Sequence, residues 1–355
     1  MDVLIISADN IYLTPYIKFY IKLLEQNNLS YKIIYWDKNN NEIVDKKNYE
    51  RFTFFSTKRG TKVFGYLKFR KKLRKELKLG NYKFVIPLHT IIGFLIGKIL
   101  INKYSKRYTY DVRDYSYEKY KIYRDIQKKL VNNSAINIIS SAGYKNFLPK
   151  AANYYIKNNI PMVNNVEIIY KQRKTNEVIN ISYIGLIRFM EQNKKILLFF
   201  KNDERFHLNF IGTNAKKLED FCKSNEIKNV TLIDTFSPNE TLNYYNNTDL
   251  IMNIYGNNTP LLDYALSNKL YYSAILNKPI LVSDNTYMEK ITKKYHLGMT
   301  MYLEDKNELN HLFNYVNTYD RKEFKNNSDK FLSVVKKEDQ NTENKINKIL
   351  RGLKK

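Results

Sequence analysis

Cysteine is almost missing. A single Cys222 in 355 residues excludes an intramolecular disulfide and a thiolate metal cluster, and it fits a reducing compartment. A basic leader is missing as well: Met1-Asp2-Val3-Leu4-Ile5-Ile6-Ser7 reads as a buried first strand and not as a signal peptide. The expected location is therefore the cytoplasm. No uncharged apolar run reaches the roughly 20 residues that a membrane-crossing helix needs. Phe84 to Ile101 comes nearest, but Pro87, His89, Gly93, Gly97 and Lys98 interrupt it, and it reads as strand, loop and buried helix.

Several binding signatures are also lacking. No Gly-x-Gly-x-x-Gly follows a strand and no Gly-Lys-Ser/Thr occurs, which counts against a dinucleotide dehydrogenase and a P-loop NTPase. Zinc-finger spacing, ribonucleoprotein-type aromatic motifs and basic-zipper heptads are absent, so nucleic acid is not an expected partner. There is no Asp-x-Asp, so no metal and no cofactor are expected. No repeat of roughly 20 to 50 residues is visible.

Acidic residues are scarce, and unevenly so. The net charge is +25, and residues 1–160 hold 31 Lys and Arg against 12 Asp and Glu. The densest stretch, Lys62 to Lys78, has eight basic residues and one acid, with Val63, Tyr66, Leu73 and Leu77 at helical spacing. Arg70, Lys71, Lys72 and Arg74 on such a helix suit an anionic membrane surface, each contributing about 1 kcal/mol. The alternative is a solvated helix packing its leucines on its own domain.

What is present is alternation. Val3–Ser7, Tyr31–Trp36, Phe52–Phe55, Phe84–Leu88, Tyr108–Val112 and Ile136–Ile139 read as strands with helical segments between most of them. After an Asn-rich, charged stretch a second series begins, with strands at Ile179–Ile184, Phe206–Ile211, Val230–Ile233, Leu250–Ile254 and Pro279–Val282. The expected division is a Rossmann-like acceptor domain at 1–160, a linker at 161–177, and a second Rossmann-like domain at 178–337. A helix at 338–355 is expected to pack back on the first domain. Two doubly wound α/β domains of this kind bring the carboxyl ends of their sheets together across a cleft.

Within the second series, Tyr183-Ile-Gly-Leu-Ile-Arg188 is a strand entering a turn. Asn268-Lys-Leu-Tyr-Tyr-Ser-Ala-Ile-Leu-Asn-Lys-Pro-Ile-Leu-Val-Ser283 is a helix feeding a strand, and Asn209-Phe-Ile-Gly212 and Thr248-Asp-Leu-Ile-Met-Asn253 lie between them. Together they resemble the donor half of GT-B glycosyltransferases of the family 4 type. In the first domain Pro87-Leu-His89, Asp111-Val-Arg-Asp114 and Ser140 to Pro149 resemble the acceptor-side loops and the segment before the hinge in capsule-type members.

The resemblance implies a GT-B fold, a nucleotide-diphosphate sugar as donor with a UDP-sugar favoured, and a lipid-linked oligosaccharide acceptor. It also implies bacterial surface-polysaccharide synthesis on the inner face of the plasma membrane, with retention of configuration favoured. Arg188 and Lys269 are the cations expected to meet the leaving diphosphate, with the Gly185 turn, the Thr259-Pro260 turn and the helix start at Asn268 supplying backbone amides. Arg188 has Glu191 as an alternative partner. His89 is a sugar-binding or proton-handling candidate, and Asp114 and Asp9 are acceptor-side carboxylates. Asp114 has the alternative of capping a helix after Tyr115. Where the family carries two glutamates eight residues apart, this chain has Tyr264 and Tyr272; Asp263 and Tyr272 are the residues left to meet the ribose or the base. A GT-B-fold binding protein without activity and a sugar-nucleotide epimerase are the competing readings.

Overall fold

In the computed structural model, residues 1–54, 61–150, 152–161 and 177–354 are described, and they divide into two compact units. Most of the expected linker, 162–176, lies outside the described residues.

Unit 1 comprises Met1–Asn158 with Lys336–Lys355. Its elements are β1 (Val3–Ser7), α1 (Ile17–Gln26), β2 (Tyr31–Asp37), β3 (Tyr49–Thr53), α2 (Thr61–Leu79), β4 (Phe84–Pro87), α3 (Thr90–Lys103), β5 (Thr109–Val112), α4 (Lys121–Asn133), β6 (Ile136–Ile139) and β7 (Tyr154–Ile156). The strands are parallel, in the orders β3-β2-β1-β4 and β5-β6-β7, and a bridge from Val85 to Tyr108 joins the two groups. Val3 to Ser7 is buried throughout, as a central parallel strand covered on both faces must be.

The α2 helix differs from the sequence expectation. Gly65, Phe69, Leu73 and Leu77, four residues apart, face inward. A Cβ on Gly65 would stand 2.6 Å from the Trp36 ring, so glycine permits that close approach. Val63 lies two residues from Gly65, about 200° round the helix, and it is exposed together with Phe64 and Leu67. Arg70, Lys71 and Arg74 are exposed too, whereas Lys72 is ion-paired with Glu50 of β3 and half-buried.

Unit 2, Asn159–Val335, holds β8 (Ile179–Ile184), α5 (Met190–Phe199), β9 (Phe206–Ile211), α6 (Glu219–Ser224), β10 (Val230–Ile233), α7 (Thr241–Asn246), β11 (Leu250–Asn253), α8 (Pro260–Tyr264), α9 (Asn268–Leu276), β12 (Ile280–Ser283), α10 (Tyr287–Lys294), β13 (Gly298–Met301) and α11 (Glu308–Thr318). Its sheet is six-stranded and parallel, in the order β10-β9-β8-β11-β12-β13. The order reverses between β8 and β11, which makes their carboxyl ends the switch point of a doubly wound sheet. One core holds Ile181, Leu197 and Leu312, and the other holds Ile184, Leu270 and Phe331.

The last helix, α12 (Arg321–Gly352), is 32 residues long. Phe324, Phe331 and Val335 are buried in a core of unit 2, while Ile346 and Leu350 are buried with Val3, Ile33 and Phe84 in unit 1.

Candidate functional site

At the switch point of unit 2, β8 ends in a turn that only a close backbone approach permits. Gly185 has φ 118°, its N–H donates to the Ile211 carbonyl at 2.8 Å, and a Cβ on Gly212 would collide with the Gly185 carbonyl. The Tyr183 hydroxyl braces the turn: it donates to the Leu186 carbonyl at 3.1 Å and accepts from the Arg188 amide at 3.2 Å. Arg188 projects from this turn and is exposed. Glu191 pairs instead with Lys194 at 2.8 Å, so the alternative ion pair for Arg188 is not formed.

Lys269 is one residue into α9 and 5% exposed. Its ammonium stands 4.7 Å from the centroid of the Tyr183 ring and 5.6 Å from that of Tyr255. Burial pushes its pKa down to about 8, and the like charge of Arg188 works in the same direction. Among the described residues no carboxylate acts on it. A buried ammonium held, among the described residues, by ring faces is a costly arrangement for the fold alone. The Ser267 hydroxyl caps α9 by accepting from the Lys269 amide at 3.3 Å.

Around these two cations the other sequence-picked residues are spread over several elements. Thr259 precedes α8 and is exposed, and its carbonyl accepts from the Asp263 amide at 2.8 Å. Asn268 is exposed at the start of α9. Asp263 is half-buried, with Oδ1 buried and unmatched by a donor. Tyr272 stacks on Tyr245 of α7, with centroids 4.5 Å apart and planes 26° apart.

In unit 1, His89 follows β4 with φ 67° and ψ 141°, a conformation that a non-glycine residue holds only under strain. The Tyr16 hydroxyl is 2.9 Å from His89 Nε2. Burial lowers the imidazole to about 4, opposed by Asp9 and Asp111 and helped by Lys38 and Arg113. His89 is therefore neutral near pH 7 and offers hydrogen bonds, not a proton. Asp9 is half-buried and paired with Lys38 at 3.0 Å. Asp114 is exposed, and it caps no helix, because the next α-helix begins seven residues later at Lys121.

Sequence reasoning named Asp111 and Arg113 only within the Asp111-Val-Arg-Asp114 motif and gave them no role behind His89. Arg113 and Asp111 form a buried ion pair at 2.7 Å, Tyr20 donates to Asp111 at 2.5 Å, and the Arg113 guanidinium lies 4.5 Å from the Tyr16 centroid. Their one visible signal is two opposite charges flanking an apolar residue at the end of a buried strand.

No family model matches the chain, and no curated protein matches it. Solved structures do. The chain is similar to sucrose-phosphate synthase from Thermosynechococcus elongatus, at TM-score 0.69 and 11% identity over 99% of each chain. It is also similar to the lipopolysaccharide outer core galactosyltransferase WaaB, at TM-score 0.65 and 14% identity over 98% of this chain and 99% of that one. An E. coli trehalose-6-phosphate structure bound with UDP-2-fluoro glucose is similar at TM-score 0.66 and 10% identity, over 99% of each chain. At these identities the likeness concerns the fold, which is the α/β GT-B fold with two Rossmann-like units that the sequence led us to expect.

Proposed function

We propose that this chain is a glycosyltransferase that moves a sugar from a nucleotide-diphosphate sugar, with a UDP-sugar favoured, to a lipid-linked glycan acceptor in bacterial surface-polysaccharide synthesis. The observation that carries the proposal is Lys269, a buried ammonium at the first turn of α9 with no acidic partner among the described residues. Negative charge develops on a nucleoside diphosphate as its bond to the sugar breaks, and fixed cations and helix N-termini stabilise that charge without reorganisation. Lys269 and Arg188 supply the cations, and the Leu261 amide in α8 and the Asn268 amide at the start of α9 supply the dipole ends, since Pro260 has no N–H and the Lys269 amide already donates to the Ser267 hydroxyl. Asp263, with its unmatched buried oxygen, is the group for a ribose hydroxyl, and the Tyr272 ring, stacked on Tyr245, is assigned to the ribose or base.

On the acceptor side, neutral His89 is assigned a hydrogen bond to the transferred sugar, Asp114 the proton of the acceptor hydroxyl, and Asp9 a secondary polar contact. The E. coli structure holding a UDP-sugar analogue supports the choice of UDP, and a study of retaining transfer on trehalose-6-phosphate synthase, another similar structure, supports retention. The phosphate charge is assigned to side chains, so the reaction is taken as metal-independent.

A peripheral position on the cytoplasmic face of the membrane is supported by α2. Among the described residues no helix is long and apolar enough to cross a membrane. On α2, however, exposed Val63, Phe64 and Leu67 adjoin exposed Arg70, Lys71 and Arg74, an arrangement suited to an anionic bilayer. Neutralising those three cations should abolish the salt-sensitive sedimentation with phosphatidylglycerol vesicles, while Lys72→Gln, at an ion-paired position, should change it less. Undiminished sedimentation of the triple variant would remove α2 from the membrane contact.

The stacked Tyr272 favours a second reading, a GT-B-fold protein that binds a nucleotide sugar without turnover. Thermal stabilisation by UDP, GDP, CMP and dTDP tests the shared part, since a ligand at a hundredfold over its Kd adds about 2.7 kcal/mol. Release of UDP from a UDP-sugar in the presence of membrane-extracted acceptor separates the transferase from the binder.

A further inference from the structure

A cleft of about 780 Å³ opens within unit 2 beside the carboxyl ends of β11, β12 and β13 and the start of α5, a size typical of a small-ligand site. Phe189 and Tyr255 line it, with ring centroids 5.2 Å apart. Phe189 is held in the left-handed region, at φ 59° and ψ 55°, where a bulky side chain is strained. Its ring is thereby kept on Tyr255, the same ring that lies 5.6 Å from the Lys269 ammonium.

The charge on the cleft has the opposite sign to that of the neighbouring Arg188 and Lys269. Three carboxylates line it, from Glu191, Asp284 and Glu304, against one cation, Lys195. Glu191 is already paired with Lys194, and Glu304 is exposed. Asp284 is held by amides: Asn257 Nδ2 donates to its Oδ1 at 3.0 Å, and Asn285 Nδ2 donates to its Oδ2 at 2.7 Å. No cation pairs with Asp284 among the described residues, and both amides belong to the cleft lining.

We infer that this cleft receives the sugar of the donor, and that it selects an uncharged sugar over one bearing a carboxylate. The inference rests on the glycosyltransferase reading. A hydroxyl-rich ring suits this lining, because each hydroxyl donates to a carboxylate or amide oxygen while the apolar face of the ring lies against an aromatic side chain. Within one tyrosine of each other, the two cations and the carboxylate-lined cleft also orient the donor. The diphosphate is drawn to Arg188 and Lys269 and repelled by Asp284 and Glu304, so the sugar end points into the cleft. A sugar carboxylate placed there meets like charges in a partly desolvated site, and among the described residues of the lining Lys195 is the cation that offsets them.

The test is calorimetric titration of the full chain with UDP, UDP-glucose, UDP-galactose and UDP-glucuronate at pH 7 and low salt. UDP-glucuronate is expected to bind at least about tenfold more weakly than the better of the two neutral sugars, and the gap should narrow in Glu304→Gln and in Asp284→Asn. Glu304 is exposed, so that variant keeps the fold if Asp284→Asn does not. Tight UDP binding with no preference against UDP-glucuronate would overturn the inference and leave the glycosyltransferase reading standing. Failure to bind UDP or any of its sugars would overturn the inference, and failure to bind GDP, CMP and dTDP as well would overturn both.

Discussion

The Lys269 ammonium lies 4.7 Å from the centroid of the Tyr183 ring, and the hydroxyl of that same ring ties down the turn that carries Arg188. One tyrosine thus links the two cations assigned to the diphosphate: its face holds the buried charge and its edge fixes the exposed one.

Lys269 should weaken the fold it belongs to. Its pKa of about 8 is below the ordinary 10.5, so between those values the unfolded chain binds a proton that the folded chain lacks. The cost of the buried charge is largest below pH 8 and fades by about pH 10.5. Lys269→Met should therefore raise stability at pH 7 by up to about 3 kcal/mol, with the gain disappearing in alkaline solution. Denaturant unfolding at pH 7 and pH 10 checks this, and a destabilised variant at pH 7 would show that the lysine is structural.

The same titration governs ligand binding. A diphosphate needs the ammonium form, so UDP affinity should hold below pH 8 and fall above it, approaching tenfold per pH unit until the bound-state pKa is reached. Calorimetry from pH 6.5 to 9.5 measures the profile. A flat profile would mean that Lys269 does not meet the phosphates.

Tyr183→Phe separates the face of the ring from its edge. The ring contact with Lys269 remains, while the hydrogen bonds to Leu186 and Arg188 are lost. A stability loss of about 1 kcal/mol is expected, together with a severalfold weaker UDP affinity, because Arg188 is no longer held in place. The pH profile should keep its midpoint near 8.

These relationships were legible in the sequence to different depths. Val3–Ser7 and Phe84–Pro87 announce themselves as strands because buried parallel strands are near-continuous apolar runs. The short β7 is half-buried and gives no such run, and β13 is partly exposed at the edge of its sheet; neither was expected. The first half of α12 was hidden because Phe324, Phe331 and Val335 are its main buried anchors amid charged residues. Arg188 and Lys269 were named as site residues from motifs that resemble a GT-B donor half, but Tyr183 and Tyr255 beside Lys269, with Phe189 on Tyr255, were given no role. Ring faces gather from three separate elements, and no local pattern records that. Leu73 and Leu77 face inward on α2 as expected, but Val63 does not, and the start of that face was misjudged for a related reason, since Gly65 packs against Trp36 through what it lacks.

His89 provides a prediction in acid. Its imidazole is lowered from 6.5 to about 4, so from pH 6.5 down to 4 the unfolded chain gains a proton that the folded chain refuses. Stability should fall across that window by at most about 3 kcal/mol on this account, and His89→Gln should lose that share of the slope. Asp2, lowered to about 2 chiefly by its hydrogen bond from Ser30, acts at lower pH and should be unaffected. Unfolding free energies of both proteins at pH 7, 5.5 and 4.5 decide the matter, and parallel curves would contradict a buried neutral His89.

The most direct measurement is the titration of UDP into the wild-type chain, Arg188→Ala and Lys269→Met at pH 7. Measurable affinity in the wild type, falling at least about tenfold in each variant while Lys269→Met stays folded and more heat-stable, is the result expected if these two cations hold the diphosphate. Equal affinity in all three, or no binding in the wild type to UDP or to any other nucleoside diphosphate, would contradict it.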